Sequence, residues 1–259
     1  MKTQLNLMKS IIKQLIVETH KNTMTEGIYD PGILKCIFLA GGPGSGKSHI
    51  ANIIFAVDKN IIGAVSPHGL KMVNSDTAFE NGLHKNGINP RDLAKISDEN
   101  PELFNKITIG PDSIRTKAKN ITNLRKYFYE EGRIGMIIDG TGSDYEHLMK
   151  QKEQAEKLGY DCYMVFVNTS LDVALQRNHN RSRTLPDDLI KTMWNHCQEN
   201  LGHFQTLFGG SNISIIDNTS YKSIPSQIQK NVDKFIREPV KNKIGKKWIQ
   251  MALKLKKTQ

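Results

Sequence analysis

The sequence has few cysteines and no long apolar run, and these two absences exclude several classes of protein. Its three cysteines, Cys36, Cys162 and Cys197, are scattered through 259 residues and show no C-x-x-C spacing. An odd number of isolated thiols argues against a disulfide framework and a structural zinc site, and it fits a reducing compartment. No apolar run approaches the roughly 20 residues that span a bilayer, and no secretory leader pattern opens the chain. We therefore expect a cytoplasmic protein.

Internal repeats and low-complexity segments are also absent. The hydrophobic content of 38% and charged content of 24% are typical of a soluble globular protein. The net charge is +10, but residues 237–259 contain eight basic residues and one acidic residue, which together give +7. The basic character thus belongs mainly to this tail, and it does not indicate that the rest of the chain binds nucleic acid.

The most informative feature present is the glycine-rich loop at residues 41–48. It reads GGPGSGKS and matches the pattern G-x-x-x-x-G-K-[S/T] at every fixed position. An apolar run of strand length precedes it at 34–40, and a helix-like segment follows at 47–57. Backbone N–H groups of such a loop surround phosphate oxygens, and the helix N-terminus adds partial positive charge. The predicted nucleotide-binding residues are Gly41, Gly42, Pro43, Gly44, Ser45, Gly46, Lys47 and Ser48.

Two of these side chains have chemical roles of their own. Lys47 can reach the β- and γ-phosphates, and the Ser48 hydroxyl can ligate Mg²⁺. The sequence therefore predicts ATP and Mg²⁺ as cofactors.

Short apolar segments alternate with helix-like segments through the rest of the chain. This alternation predicts βαβ units and a largely parallel sheet between helices. The later strands are predicted at 71–74, 134–138, 161–168 and 213–216. Ser143 and Glu146 form a capping-box pattern that predicts the start of a helix, and a final core helix is expected over 221–236.

We divide the chain into one α/β domain with the phosphate-binding loop at 1–236 and a basic tail at 237–259. The domain would begin with an amphipathic helix at 4–17. It would also contain a helical insertion at about 77–131 and a lid at about 177–186.

Polar residues just after the predicted strands are candidate site residues, because ligands bind beyond the carboxyl ends of parallel strands. Asp76 could accept a proton from an acceptor hydroxyl or orient it, or it could simply cap the next helix. Asp139 is well placed to hold Mg²⁺ through water, although Asp-Gly-Thr-Gly is also a common turn composition. Thr141 could contact the acceptor or a phosphate.

Three arginines form a further candidate group, Arg177, Arg181 and Arg183. They lie between two predicted helices, as a mobile lid would. Guanidinium groups closing over the γ-phosphate would stabilise charge in the transition state and exclude water. The alternative is a solvated basic turn, but a phosphate-binding loop in the same chain favours the catalytic interpretation.

Together these motifs resemble the P-loop kinases, most closely the zeta-toxin-like kinases and the polynucleotide 5′-hydroxyl kinases. The matching segments are GGPGSGKS (41–48), VNSD (73–76), IIDGTG (137–142), RNHNR (177–181) and Pro186. The resemblance covers about residues 34–217. It implies a P-loop NTPase fold with a five-stranded parallel sheet flanked by helices on both faces.

The resemblance also implies roles for particular residues. Lys47 and Ser48 would bind ATP·Mg²⁺, and Asp76 would be the base that activates the acceptor hydroxyl. The lid arginines, Arg181 especially, would contact the transferred phosphate. Where zeta toxins typically have a glutamate, this chain has Asp139, as polynucleotide kinases do.

The tail could contact another molecule or pack on the domain. Ile244, Trp248, Met251 and Leu255 would share one helical face surrounded by lysines. Such a helix can lie on nucleic acid, an acidic membrane surface or a protein partner. Alternatively, its apolar face packs on the kinase core while the lysines stay solvated.

The leading hypothesis is an ATP-dependent kinase that acts on a hydroxyl of a nucleic-acid end, a nucleotide or a nucleotide sugar. One alternative is an NTPase whose hydrolysis drives a conformational change. A second is a non-catalytic nucleotide- or nucleic-acid-binding module.

Overall fold

The structure is a computed structural model that describes residues 27–57, 64–181, 183–220 and 223–257. The helix predicted at 4–17 lies outside these residues. The strands are β1 (Lys35–Ala40), β2 (Lys71–Val73), β3 (Met136–Asp139), β4 (Asp161–Asn168) and β5 (Ile213–Asp217). The helices of the described part are α1 (Lys47–Phe55), α2 (Asp76–Lys85), α3 (Leu93–Glu99), α4 (Pro101–Thr108), α5 (Ile114–Glu131), α6 (Tyr145–Lys157), α7 (Leu171–His179), α8 (Asp187–Phe208), α9 (Ser226–Arg237) and α10 (Lys243–Lys257).

The five strands form one sheet in the order β2-β3-β1-β4-β5, and every pairing is parallel. The central strand β1 is buried along its whole length and sends alternate side chains to two hydrophobic cores. Phe38 packs with residues of α6, α8 and α10 on one face, and Ile37 packs with residues of α1 and α9 on the other. A strand buried on both faces reads as a continuous apolar run. The predicted parallel sheet with helices on both faces is therefore confirmed.

The segment expected as a helical insertion contains α2 to α5 and a small core of its own. Phe79, Leu83, Leu93, Ile107 and Ala118 make up the buried part of this core. α5 is the long helix of the segment, and it packs mainly against α2. The insertion thus extends from the β2 edge of the sheet, next to the end of the strand that precedes Asp76.

Some predicted element boundaries were wrong. β3 begins at Met136 and includes Asp139, whose backbone pairs with Leu39. The cap of α6 is Asp144, which accepts a hydrogen bond from the His147 N–H at 2.9 Å, so the capping-box prediction at Ser143 was wrong by one residue. The final core helix begins at Ser226, directly after Pro225. The fixed φ of proline suits the start of a helix.

The tail forms α10, and one side of this helix packs on the domain. Trp248 and Ile249 pack against the core. The Asp161 carboxylate accepts hydrogen bonds from the backbone N–H groups of Lys241 and Asn242, both at 2.8 Å, just before the helix. Ile244, Met251 and Leu255 stay exposed, at 53%, 65% and 67%.

Ile244, Trp248, Met251 and Leu255 are three or four residues apart in α10 and so share one side of the helix, but only Trp248 packs on the core, and the other three are exposed. Within the described ranges, no helix combines the length and the apolar character needed to cross a bilayer.

Candidate active site

The phosphate loop leaves the end of the central strand β1 and enters α1 through a run of tightly packed glycines. Residues 41–45 are buried. Gly44 has a φ of +77°, and a Cβ there would lie 2.4 Å from the carbonyl oxygen of Ala174 in α7. Gly46 has a φ of +88°, and its Cβ would lie 2.2 Å from the Asn218 side chain. The outer surface of the loop thus leaves no room for side chains, which fixes the loop backbone.

Arg177 and Asn218 hold this outer surface by hydrogen bonds to backbone carbonyls. The Arg177 guanidinium donates to Gly44 O at 3.3 Å and to Asn218 O at 2.8 Å. The Asn218 amide donates to Ser45 O at 2.8 Å. Arg177 was expected in the lid, but it lies in the last turns of α7 with its side chain against the loop. This geometry gives it a positioning role for the loop.

The inner part of the loop fits an anionic ligand. The Lys47 ammonium donates to Gly41 O at 2.7 Å and to Gly42 O at 3.2 Å, so its charge lies at the loop itself. The Ser45 hydroxyl is buried and has no hydrogen-bond partner in the part of the chain that the structure describes. Glycine-lined loops at a helix N-terminus present backbone N–H groups to phosphate oxygens. The cradle therefore suits the polyphosphate of a nucleotide.

The turn after β3 packs against the start of the loop. The Thr141 carbonyl accepts hydrogen bonds from the Gly41 N–H at 3.1 Å and from the Cys197 thiol at 2.8 Å. The Thr141 hydroxyl lies 2.8 Å from the Ser143 hydroxyl. Burial raises the pKa of Cys197 to about 11, although the Lys47 charge acts in the opposite direction. The thiol therefore stays protonated at neutral pH and can donate to the carbonyl.

Asn74 connects the two candidate aspartates. Its amide nitrogen donates to Asp139 Oδ2 at 2.5 Å, and its side-chain oxygen accepts from the Asp76 N–H at 2.5 Å. The Thr122 hydroxyl of α5, which donates to Ala118 O at 3.0 Å, lies 3.4 Å from the Asn74 carbonyl oxygen. One amide side chain thus fixes the end of β3 relative to the start of α2.

Asp76 is the first residue of α2 and is paired with two arginines. Arg115 Nη1 lies 3.1 Å from Asp76 Oδ1, and Arg183 Nη2 lies 3.1 Å from Asp76 Oδ2. The buried Phe79 ring contacts both guanidinium groups, with centroid distances of 5.0 Å to Arg115 and 5.6 Å to Arg183. Glu80 lies 3.8 Å from Arg183 and adds a second negative charge.

The segment between α7 and α8 folds toward the insertion. The buried Asn178 amide exchanges two hydrogen bonds with the Leu185 backbone, at 2.8 and 3.0 Å. Thr184 donates to the Arg91 carbonyl at 2.9 Å. Arg183 reaches Asp76 from this segment. Arg181 makes no side-chain hydrogen bond or ion pair with any described residue. The three predicted lid arginines thus lie in three different environments.

The sheet order sets the distance between the two parts of the site. β2 and β1 are separated by β3, and neighbouring strands lie about 4.8 Å apart, so the Asp76 strand and the loop strand are roughly 10 Å apart. Strand β3 lies between them. Ser48 lies in the first turn of α1 and Asp139 is the last residue of β3, and their oxygens are the ligand type that Mg²⁺ prefers.

Sequence reasoning missed three residues of this arrangement, Asn74, Arg115 and Asn218. Asn74 precedes Asp76 by two positions, and Asn218 directly follows β5, so the strand-end rule that selected Asp76 applied to both. Arg115 follows no strand, and no sequence signal distinguishes it from the other basic residues of α5.

Comparisons with known proteins identify the family of the chain. A protein-family model described as an AAA domain matches residues 36–201, which is more than half of the chain. Comparison with curated protein sequences gives no match. The fold and the loop define a P-loop kinase-like domain. The chain belongs to the AAA domain family that the model describes.

The solved structures that are similar to this chain share little sequence identity with it. A chain from the PezAT chromosomal toxin–antitoxin system of Streptococcus pneumoniae is 15% identical with a TM-score of 0.50, covering 95% of this chain and 94% of that one. The AvrRxo1-ORF1:-ORF2 complex gives 12% identity and 0.46, covering 82% and 65%. Shikimate kinase from Bacteroides thetaiotaomicron gives 16% and 0.40, covering 77% and 95%. The last two scores lie below 0.5 and add nothing to the fold assignment.

Proposed function

We propose that this protein is an ATP-dependent kinase that transfers the γ-phosphate to a hydroxyl of a nucleic-acid end, a nucleotide or a nucleotide sugar. The observation that carries the proposal is the position of Asp76. Asp76 follows β2, which ends at the same sheet edge as the phosphate loop after β1, with β3 between the two strands. The Asn74 side chain hydrogen-bonds both the Asp76 N–H and the Asp139 carboxylate. A carboxylate at the same sheet edge as a phosphate loop is suited to take the proton from an acceptor hydroxyl during phosphoryl transfer.

In this proposal the loop binds the donor. Its backbone N–H groups and Lys47 hold the phosphates of ATP, and Ser48 and Asp139 hold Mg²⁺. The metal ion neutralises phosphate charge when it is bound. Arg177 and Asn218 keep the loop carbonyls in place, so the N–H groups remain oriented inward. Thr141 fixes the turn beside the loop through its carbonyl, and its hydroxyl is the proposed contact to the acceptor.

The acceptor hydroxyl reacts in the gap between the loop and Asp76. Its oxygen forms a bond to the γ-phosphorus while the bond from that phosphorus to the β–γ bridging oxygen breaks, and ADP leaves. Asp76 takes the proton from the hydroxyl. Arg181 and Arg183 stabilise the charge on the transferred phosphate from the lid segment. Water is excluded when this segment closes, which favours transfer over hydrolysis.

The compartment in this proposal is the cytoplasm, which the three free buried thiols support. The lysine-rich tail could contact a nucleic-acid acceptor through the exposed side of α10. A protein partner is not part of the proposal, although one similar structure comes from a toxin–antitoxin system.

The test is transfer of labelled γ-phosphate from ATP·Mg²⁺ to a panel of acceptors by wild type and Asp76→Asn. The panel contains 5′-hydroxyl oligonucleotides, nucleosides, nucleoside monophosphates and UDP-sugars. We expect label on one acceptor class, and a decrease of about 10²- to 10⁴-fold in the variant, the usual range for a general base.

Two other outcomes would replace the proposal. Release of free phosphate alone, at a rate that Asp76→Asn leaves unchanged, would favour an NTPase. ATP binding with neither transfer nor hydrolysis would favour a non-catalytic nucleotide-binding module. Glu131→Gln is the matched control, because this exposed carboxylate at the end of α5 lies more than three helical turns from Arg115.

A further inference from the structure

We propose that the outer face of α5 (Lys117, Ile121, Leu124 and Tyr127), together with the cavity beside it, binds an acidic amphipathic helix of a protein partner. The surface belongs to the insertion, and the inference does not depend on the proposed function. Successive residues of an α-helix are about 100° apart, so this face lies on the opposite side of α5 from Arg115. A partner bound there would leave the candidate active site accessible.

The cavity lies between α2, α4 and α5 and has a volume of about 630 Å³. Its apolar lining includes Ile88, Leu103, Ile107, Ile114, Ala118 and Ile121. At Gly82 the helices α2 and α5 are already in contact, because a Cβ there would lie 2.5 Å from Ile114 Cγ2. Closer packing of these two helices therefore cannot fill the cavity. Its volume is within the range of about 300 to 1,000 Å³ that is typical of ligand pockets.

The outer face of α5 continues this apolar surface beyond the cavity. Ile121 lines the cavity and is 47% exposed, while Leu124 and Tyr127 lie further along the helix and are 57% and 53% exposed. Residues three apart lie on the same side of a helix, so the three side chains form an exposed apolar stripe. A small molecule in the cavity would leave Leu124 and Tyr127 in water, whereas a helix along α5 covers both.

The cavity is also surrounded by positive charge. Four cations line it, namely Lys85, Lys106, Lys117 and Arg125. None of the four forms an ion pair with a residue in the described part of the chain. Among the described lining residues one is acidic, Asp112. Residues 76–131 contain nine Lys or Arg and nine Asp or Glu, so positive charge is concentrated here within a neutral segment. An apolar ligand with acidic groups complements this surface.

The same observations disfavour other occupants. A second copy of this chain, docked here about a two-fold axis, would place the same cations opposite one another. A membrane surface or a nucleic-acid backbone does not fill a concave apolar cavity. The large apolar side chains on one side of a helix do fill such a groove. An acidic amphipathic helix therefore accounts for the cavity, the stripe and the cations together.

The experiment uses a fluorescently labelled synthetic peptide of about 20 residues, which is long enough to form a helix. Its leucines repeat at i, i+3, i+4 and i+7, and glutamates flank them. In one control peptide glutamines replace the leucines, and in a second control peptide lysines replace the glutamates. Fluorescence anisotropy measures the binding of each peptide to the full chain.

The variants are Ile121→Glu and Leu124→Glu on the outer face, with Met251→Glu as the matched control. Met251 is also an exposed apolar residue near lysines, but it lies on α10. We expect wild type to bind the leucine–glutamate peptide about tenfold or more tightly than either control peptide. Ile121→Glu and Leu124→Glu should each weaken this binding about tenfold or more, the effect of a repulsive charge at the centre of an interface. Met251→Glu should bind as wild type does.

Lys117→Glu tests the role of charge in a way that unfolding cannot mimic. This variant should bind the leucine–glutamate peptide more weakly than wild type and the leucine–lysine peptide more tightly. A gain of binding in one arm requires a folded surface, so a general loss of structure would not produce this result. Circular dichroism checks that each variant is folded.

Other results would overturn the inference. Equal losses in Met251→Glu and Leu124→Glu, or no saturable binding to wild type, would mean that this face does not recognise the peptide. A loss in Ile121→Glu without a loss in Leu124→Glu would limit the site to the cavity and favour a small ligand. A concentration-dependent dimer of wild type that Leu124→Glu abolishes, measured by sedimentation, would mean that a second copy covers this face.

Discussion

The phosphate loop after β1 and the Asp76 cluster after β2 belong to the same sheet edge, but different interactions hold them. The loop is buried, and its backbone is fixed by close packing at Gly44 and by hydrogen bonds from Arg177 and Asn218 to carbonyls. Asp76, by contrast, is fixed by ion pairs of partly exposed side chains. Packing of this kind tolerates little change, whereas side-chain ion pairs rearrange easily. Under the proposed function, in which the loop binds the donor and Asp76 the acceptor, this difference suits a constant donor and an acceptor site that a few substitutions can adapt.

The largest expected effect comes from breaking the packing of the loop. In Gly44→Ala the new Cβ would lie 2.4 Å from Ala174 O, at a φ that L-residues rarely adopt. We expect ATP affinity to fall more than about 100-fold, because the N–H groups of the loop shift together. Calorimetric titration of ATP measures this.

Gly202→Ala is the control for that substitution, since a Cβ at Gly202 in the middle of α8 has no neighbour within 4 Å. It should leave ATP affinity unchanged and raise the stability slightly, because alanine favours a helix interior over glycine by up to about 1 kcal/mol. Equal ATP affinity of Gly44→Ala and wild type would show that the loop is not rigid.

A smaller effect is expected in the pH dependence of folding stability, through Cys197, which lies beneath the loop. Burial raises the pKa of Cys197 from an ordinary value of 9.0 to about 11. Below pH 9 the thiol is protonated in both folded and unfolded chains. Between pH 9 and 11 the unfolded chain loses the proton first, so the contribution of Cys197 to folding falls by about 2 to 3 kcal/mol.

Denaturant unfolding of wild type and Cys197→Ala at pH 8 and pH 11 isolates this contribution, because the other ionising groups are common to both proteins. The stability advantage of wild type should narrow as the pH rises. An equal difference in unfolding free energy between the two proteins at both pH values would contradict this. It would mean that water reaches the Cys197 thiol and that the residues beneath the loop are not tightly packed.

The smallest effect is expected on the acceptor side. Glu80→Gln removes the carboxylate 3.8 Å from Arg183, and both groups are partly exposed. Pairs of this kind contribute at most about 1 kcal/mol. We expect less than a threefold change in kcat/KM and no change in ATP affinity. A loss of ATP affinity would show that the two parts of the site are not independent.

The sequence was sufficient to predict the sheet and the loop, because both leave local signals. A strand buried on both faces is a continuous apolar run, and the loop needs glycine at fixed spacing. The acceptor side leaves few such signals. Arg115 lies 39 residues from Asp76 in a polar segment, and only the packing of α5 on α2 brings the two together.

The predicted lid also shows what the sequence does not reveal: similar residues can have different positions. Arg177, Arg181 and Arg183 look alike in the sequence, as cations between two helices. In the structure Arg177 lies at the end of α7 against the loop, Arg183 pairs with Asp76, and Arg181 has no partner among the described residues. The point at which α7 ends determines which element each arginine faces. The pattern of charges in the sequence does not reveal that point.

The measurement that tests the central claim most directly is the ATP affinity of Asp76→Asn beside that of Lys47→Ala, by calorimetry with Mg²⁺ present. If donor and acceptor sides are separate, Asp76→Asn should bind ATP within about threefold of wild type, while Lys47→Ala should lose tenfold or more, the loss expected for a charge-assisted contact. Equal losses in the two variants would contradict the account, because Asp76 would then belong to the donor site.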